Sequence, residues 1–203
     1  MTVAPALDVS RETSDRLDAF AALVAKWTGR INLVAPSTVP HLRERHVADS
    51  LQLWSLLPAH ATTLADLGSG GGFPGLVLAI LAAEVGAPCV TLIESDGRKC
   101  AFLRTAVREL GLDVTVLDAR AEAAPPQGAD VVTARALAPL PRLLPLVARH
   151  LAAGGTAVLP KGRDWAAEVE EAQAAGWRFA LDARASSTDP EARILVLTDL
   201  AHG

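Results

Sequence analysis

Thr62-Thr63-Leu64-Ala65-Asp66-Leu67-Gly68-Ser69-Gly70-Gly71-Gly72-Phe73-Pro74-Gly75-Leu76 joins an apolar segment of strand length to a second apolar run through a turn with five glycines in eight residues. The first segment ends in a carboxylate, Asp66. Glycine has no Cβ, so such a turn reaches positive φ and lets a ligand lie against bare backbone. Pro74 suits the first position of the following helix, where its missing N–H would have no partner. Strand, glycine turn and helix N-terminus together make a nucleotide-cofactor site.

Working outward, the same alternation continues to the end of the chain. Strands are expected at Thr62–Leu67, Cys89–Glu94, Val114–Leu117, Asp130–Ala134, Gly155–Pro160, Trp177–Ala183 and Arg193–Thr198. Helices are expected at Pro74–Ala83, Arg98–Leu110, Leu140–Leu151 and Asp164–Ala174 between them. This spacing predicts a doubly wound, mostly parallel Rossmann-like sheet. The last two strands leave no room for a helix and should form an antiparallel hairpin at or near the sheet edge. Ahead of the first strand, apolar residues at helical spacing predict two helices, Ser10–Trp27 and Pro40–Leu57. The expected organisation is a helical extension over 1–60 on a catalytic domain over 61–203.

The 203 residues, 50% apolar, suffice for one α/β domain with a short addition. Cys89 and Cys100 lie in apolar stretches and read as packing residues of a reducing compartment, with neither disulfide nor metal expected. Met1 to Asp15 shows no leader pattern, and Leu76–Ala83 is too short to cross a bilayer. A cytoplasmic monomer is expected. The net charge of −4 is unlike that of a free-standing nucleic-acid binder, yet basic residues gather at Arg43, Arg45 and His46, at Arg98, Lys99, Arg104 and Arg108, and at Lys161 and Arg163.

Gly70-x-Gly72-x-x-Gly75 satisfies a dinucleotide fingerprint, but that frame begins beyond the strand end at Leu67. Anchored at Gly68, the third fingerprint glycine is replaced by Phe73. Asp66 suits a cationic amino group, such as that of S-adenosylmethionine, better than a pyrophosphate. Glu94 closes the second strand, where a carboxylate accepts ribose hydroxyls. The loop Asp118–Glu122 should flank an adenine. Arg135 follows the fourth strand and points into the same crevice, where a guanidinium needs an anionic or acceptor partner.

Lys26-Trp27-x-x-x-Ile31-Asn32-Leu33, His46-Val47-Ala48-Asp49-Ser50-Leu51, the turn Asp66–Gly75, Glu94-Ser95-x-x-x-Lys99-x-x-Phe102-Leu103, Arg120-Ala121-Glu122, Thr133-Ala134-Arg135-Ala136 and Lys161-Gly162 follow one another in order. In these motifs the chain resembles the ribosomal RNA small subunit methyltransferase G family, also called glucose-inhibited division protein B. The likeness runs from about Lys26 to Thr198. One departure is Thr28, where the family often has asparagine, which points to altered RNA or packing contacts there.

The resemblance implies a class I S-adenosylmethionine-dependent methyltransferase fold. It also implies methyl transfer to N7 of a guanine in a decoding-region loop of 16S ribosomal RNA, with that RNA or the small subunit as partner. Gly68, Gly70 and Phe73 would line the methionine and ribose end of the cofactor, with Asp66 and Glu94. Ala121 and Glu122 would meet the adenine, and Arg135 would close the site as its catalytic residue. Arg98, Lys99 and Lys161 are the candidate RNA contacts. His46 reads as part of a cluster docking the N-terminal helices, while Asp49 is open between that role and a pocket wall. Trp27 reads as core, with base stacking as the alternative. Competing functions are methylation of a protein or small molecule, a nicotinamide oxidoreductase, and a non-catalytic assembly factor.

Overall fold

A computed structural model describes residues 9–203. The reading of Met1–Asp15 as lacking a leader therefore falls largely outside the described residues. Helix α1 spans Arg11–Thr28 and begins where Ser10 Oγ accepts the amide hydrogen of Thr13 at 3.2 Å. Its apolar face buries Leu17, Phe20 and Val24. Thr28, the departure from the family pattern, turns inward, and its hydroxyl donates to the Val24 carbonyl.

The second expected helix, Pro40–Leu57, is not continuous. The chain instead makes a 3-10 turn at Pro36–His41, a π turn at Arg43–Val47, the short helix α2 at Ala48–Leu51 and a 3-10 turn at Trp54–Leu56. The wider π turn at Arg43–Val47 and the tighter 3-10 turns on either side replace the regular α repeat, which holds only at α2.

The strands are β1 Thr63–Leu67, β2 Cys89–Glu94, β3 Val114–Asp118, β4 Ala129–Ala134, β5 Leu151–Lys161, β6 Trp177–Ala185 and β7 Arg193–His202. They form one sheet in the order β3-β2-β1-β4-β5-β7-β6. The first five are mutually parallel, and β7 runs antiparallel to both β5 and β6. The expected hairpin is therefore present, with its second strand inserted inside the sheet and β6 left at the edge. The remaining helices are α3 Gly75–Val85, α4 Gly97–Glu109, α5 Leu140–His150 and α6 Trp165–Ala174.

Strand periodicity sorts the core into two layers. Leu64, Leu92 and Val131 face α1, α3 and α4, whereas Ala65, Leu67 and Val132 face α5 and α6. The helical extension shares the first of these layers. Because β1 pairs with β2 on one side and β4 on the other, the chain reverses its winding direction at β1. A crevice opens at the carboxyl ends of the strands at such a point. Among the described residues, no helix is long and apolar enough to cross a membrane.

Phe20 is wholly buried, with its ring 5.0 Å from that of Phe73 in the glycine turn. Phe20→Ala should cost about 3–5 kcal/mol, read as a lower urea midpoint. An unchanged midpoint would show that α1 is not part of the core.

Candidate cofactor and substrate site

The glycine turn is held from three directions. Gly68 and Ser69 donate their amide hydrogens to the Ile93 carbonyl at 2.8 and 3.1 Å. Gly68, Gly70 and Gly72 have φ of +66°, +54° and +86°, the left-handed region in which a side chain is strained. From above, a Cβ on Gly71 would stand 2.9 Å from the carbonyl oxygen of Leu33, so the segment after α1 lies across the turn. Gly68 and Gly70 alone among the turn's glycines keep partial exposure.

Asp66, an expected cofactor residue, is buried in the protein. Its side chain faces the start of α3 and is 0% exposed. Oδ1 accepts the Thr133 hydroxyl at 2.7 Å, while Oδ2 has no hydrogen-bond partner. Burial raises its pKa to about 6, against the lowering effect of the Thr133 bond. The carboxylate thus lies beneath the turn.

Glu94 ends β2 with both carboxylate oxygens engaged. Oε2 accepts the Gly70 amide hydrogen at 2.8 Å, and Oε1 accepts those of Ser95 and Asp96, each at 2.8 Å. It ties the turn to the neighbouring strand and keeps spare lone pairs. Next to it, Ala119 donates its amide hydrogen to the Glu94 carbonyl at 2.9 Å. Ala121 is buried and Glu122 exposed in the loop that follows. This loop is fastened by residues the sequence reading missed. His150, wholly buried, contacts the Ala121 carbonyl at 2.8 Å through Nε2, and Arg149 donates to the Ala124 carbonyl through Nε and Nη2.

Arg135 leaves the end of β4 and meets the N-terminal segment. Nη1 lies 3.1 Å from His46 Nδ1 and 3.4 Å from Asp49 Oδ2, and the guanidinium lies 5.2 Å from the centre of the Phe73 ring. Its side chain is 20% exposed, and burial pulls its pKa down while Asp49 opposes that shift. His46 and Asp49 thus belong to the site as well as to the docking of the N-terminal segment. Beyond Arg135 opens a cleft of about 630 Å³, lined by Arg45, Asp49, Leu137, Pro139 and Asp189 among others. The loop between the two spaces is distinctive. Ala136 has φ of +54°, and Leu137 covers Gly68, where a Cβ would come within 2.6 Å of its Cδ1.

The model of the family described as GidB, rRNA small subunit methyltransferase G, matches residues 13–183. This chain belongs to that family. It is 53% identical to the Ribosomal RNA small subunit methyltransferase G of Rhodospirillum centenum over 97% of this chain and 88% of the relative. It is 51% identical to that of Paramagnetospirillum magneticum over 96% of this chain and 93% of the relative. Among solved structures it resembles a substituted MtNAS in complex with S-adenosylmethionine, with TM-score 0.60, 16% identity and coverage of 92% and 75% of the two chains. It also resembles a precorrin-6y C5,15-methyltransferase from Geobacter metallireducens, with TM-score 0.54, 17% identity and coverage of 83% and 92%. At these identities the structures establish the class I methyltransferase fold.

Within this family frame, the expected RNA contacts divide. Arg98 and Lys99 open α4 at the rim of a smaller hollow that also includes Arg30 and Asn32, and Arg98 pairs with Asp96 at 3.2 Å. Lys161 is paired within the protein. Its ammonium donates to Glu168 Oε2 at 2.7 Å and to the Ala138 carbonyl at 2.8 Å, and its side chain is 8% exposed. It fastens the loop after Arg135 and lines the cleft beside it. Glu168 holds the same loop by accepting the Leu140 amide hydrogen at 2.6 Å. Trp27 packs against Phe102, with ring centres 5.7 Å apart, as the core reading expected.

The raised pKa of Asp66 has a definite sign. The folded protein binds a proton there that the unfolded chain releases, so folding is disfavoured once pH exceeds about 6 and the penalty fades as pH falls toward 4. Asp66→Asn should therefore stabilise the protein at pH 8 by roughly 2–3 kcal/mol, with little gain at pH 4. Denaturant titration across this range checks it, and a gain independent of pH would contradict the assignment.

Proposed function

We propose that this chain transfers the methyl group of S-adenosylmethionine to N7 of a guanine in 16S ribosomal RNA, in the cytoplasm. Membership of the family supports the substrate class. The observation that carries the reading is the contiguity of two spaces, since the loop of Arg135 and Leu137 borders both the glycine turn and the cleft.

The turn fits the cofactor on its own terms. A Cβ on Gly70 would meet no atom closer than 3.7 Å, so its free side is open. In this reading Gly68 and Gly70 offer bare backbone to the methionine end, Glu94 the ribose, and Ala121 with Glu122 the adenine. Asp66 adds negative charge beneath the turn. When bound, S-adenosylmethionine supplies a methyl group activated by the positive charge of its sulfonium.

Guanine N7 carries a lone pair and no proton, so no general base is required of the protein. Its residues have only to hold the base in line and exclude water, which is catalysis by proximity. Arginine usually reads guanine through O6 and N7 together. With N7 reacting, Arg135 is assigned to O6 or to a flanking phosphate, with its direction set by His46 and Asp49. Arg30, Arg98 and Lys99 extend positive charge along the rim for the RNA backbone.

Transfer of labelled methyl to small ribosomal subunits and to deproteinised 16S RNA, followed by mapping of the base, tests this. Incorporation at one guanine N7 is expected. Incorporation into neither, with the cofactor bound, would overturn the RNA reading and favour a protein or small-molecule acceptor. Arg135→Ala should lower turnover roughly 10- to 100-fold while S-adenosylhomocysteine binding persists, and unchanged turnover would remove Arg135 from the mechanism.

A further inference from the structure

We propose that His46 is a positioning residue of the transfer site, a neutral imidazole that offers a bare Nδ1 to Arg135 and fixes the direction of its guanidinium. The inference rests on the reading of Arg135 as a residue on the substrate side.

The argument begins at Thr38. Its hydroxyl donates its one hydrogen to the Ala35 carbonyl at 2.7 Å. Toward His46 Nε2, 2.9 Å away, the same oxygen is therefore an acceptor. His46 Nε2 carries the ring hydrogen, and in a neutral imidazole Nδ1 is then bare. From the other end, arginine has donors and no acceptor. The 3.1 Å approach of Arg135 Nη1 to Nδ1 is a hydrogen bond only with the same tautomer. Both ends of the chain Ala35–Thr38–His46–Arg135 thus require one arrangement of hydrogens.

The surroundings hold that arrangement. The His46 ring packs against Phe73 with centres 5.2 Å apart, and the Arg135 guanidinium is the same distance from that ring. The charged groups facing His46 are Arg135 and Asp49, with Arg45 on its own turn. Burial and Arg135 pull its pKa down to about 4, with Asp49 opposing, so the ring is neutral at pH 7. A protonated ring would set a second hydrogen against the guanidinium.

Asp49 completes the clamp from a different anchor. Its Oδ1 accepts from Thr188 and from Gln52 Nε2, each at 2.9 Å, while Gln52 Oε1 accepts the Ser187 amide hydrogen at 2.8 Å. The loop between β6 and β7 therefore braces the residues that aim Arg135. A carboxylate in place of His46 would add a second negative charge and cancel Arg135. A neutral acceptor sets direction and leaves the charge for the substrate.

The test compares His46→Phe, which keeps a ring on Phe73 without an acceptor, with His46→Asn, which places an amide oxygen near the position of Nδ1. His46→Phe should lower kcat roughly 10- to 100-fold with the KM for S-adenosylmethionine unchanged, and His46→Asn should restore most of the loss. In an Arg135→Ala background His46→Phe should have almost no further effect. Wild-type kcat in His46→Phe, or equal losses in both variants, would overturn the inference. Full turnover in Arg135→Ala would instead overturn the reading of Arg135 on which it rests. Nitrogen NMR of the wild-type imidazole, which requires no variant to fold, should show hydrogen on Nε2 alone at pH 7. Hydrogen on Nδ1 would also overturn the inference.

Discussion

The start of α3 lies so close to the sheet that a single methyl group on Gly75 would stand 2.6 Å from Asp66 Oδ2 and closer still to Leu92. That approach fixes the rest of the site. It seals Asp66 under the turn, brings the turn to the carboxyl ends of β1 and β2, and leaves Gly68 and Gly70 as its partly exposed points. Glu94 then locks the turn through the Gly70 amide. A buried carboxylate with one free oxygen is costly. The gain is a negative charge held in a low-dielectric position beneath the surface that a cationic ligand would approach.

On the β4 side, geometry is set by polar contacts between distant parts of the chain. Arg135 is aimed by His46 and Asp49 from the N-terminal segment, and Asp49 is braced by Thr188 from the last hairpin. Lys161 and Glu168 hold the loop that follows Arg135. A net charge of −4 gives little long-range attraction for RNA. In the proposed function, a few individually held cations and the shape of the RNA would supply the recognition.

The local architecture was legible where the cause is local. The strand, glycine turn and helix from Thr62 to Leu76 announce themselves by composition, and the expected strands lie close to those found because strands covered on both faces read as short apolar runs. The breaks within Pro40–Leu57 are less legible, because Val47, Leu51 and Trp54 keep apolar spacing whether the turns are α, π or 3-10. At the site, the place of Glu94 at the end of β2 and of Arg135 after β4 is legible, because each follows an apolar strand. The pairing of Lys161 with Glu168 is not legible, because Glu168 lies on α6 and the order of residues does not say that the two will meet. The burial of Asp66 is not legible either, because its face of β1, toward α3 or toward the crevice, is decided by how closely the helix packs. His150 and the Gln52–Ser187 link carried no signal in sequence, since each depends on contacts between elements far apart in the chain.

The central claim is that the open side of the glycine turn is where the cofactor lies. Gly70→Ala tests it directly, because the protein leaves room for the added methyl, with its nearest neighbour 3.7 Å away, and the left-handed backbone costs about 1–2 kcal/mol. Calorimetric titration with S-adenosylhomocysteine, alongside a circular-dichroism check that the fold persists, is the decisive comparison. The account predicts a folded protein whose affinity falls by at least roughly tenfold, about 1.4 kcal/mol of binding. A folded variant that binds as tightly as the parent would contradict it.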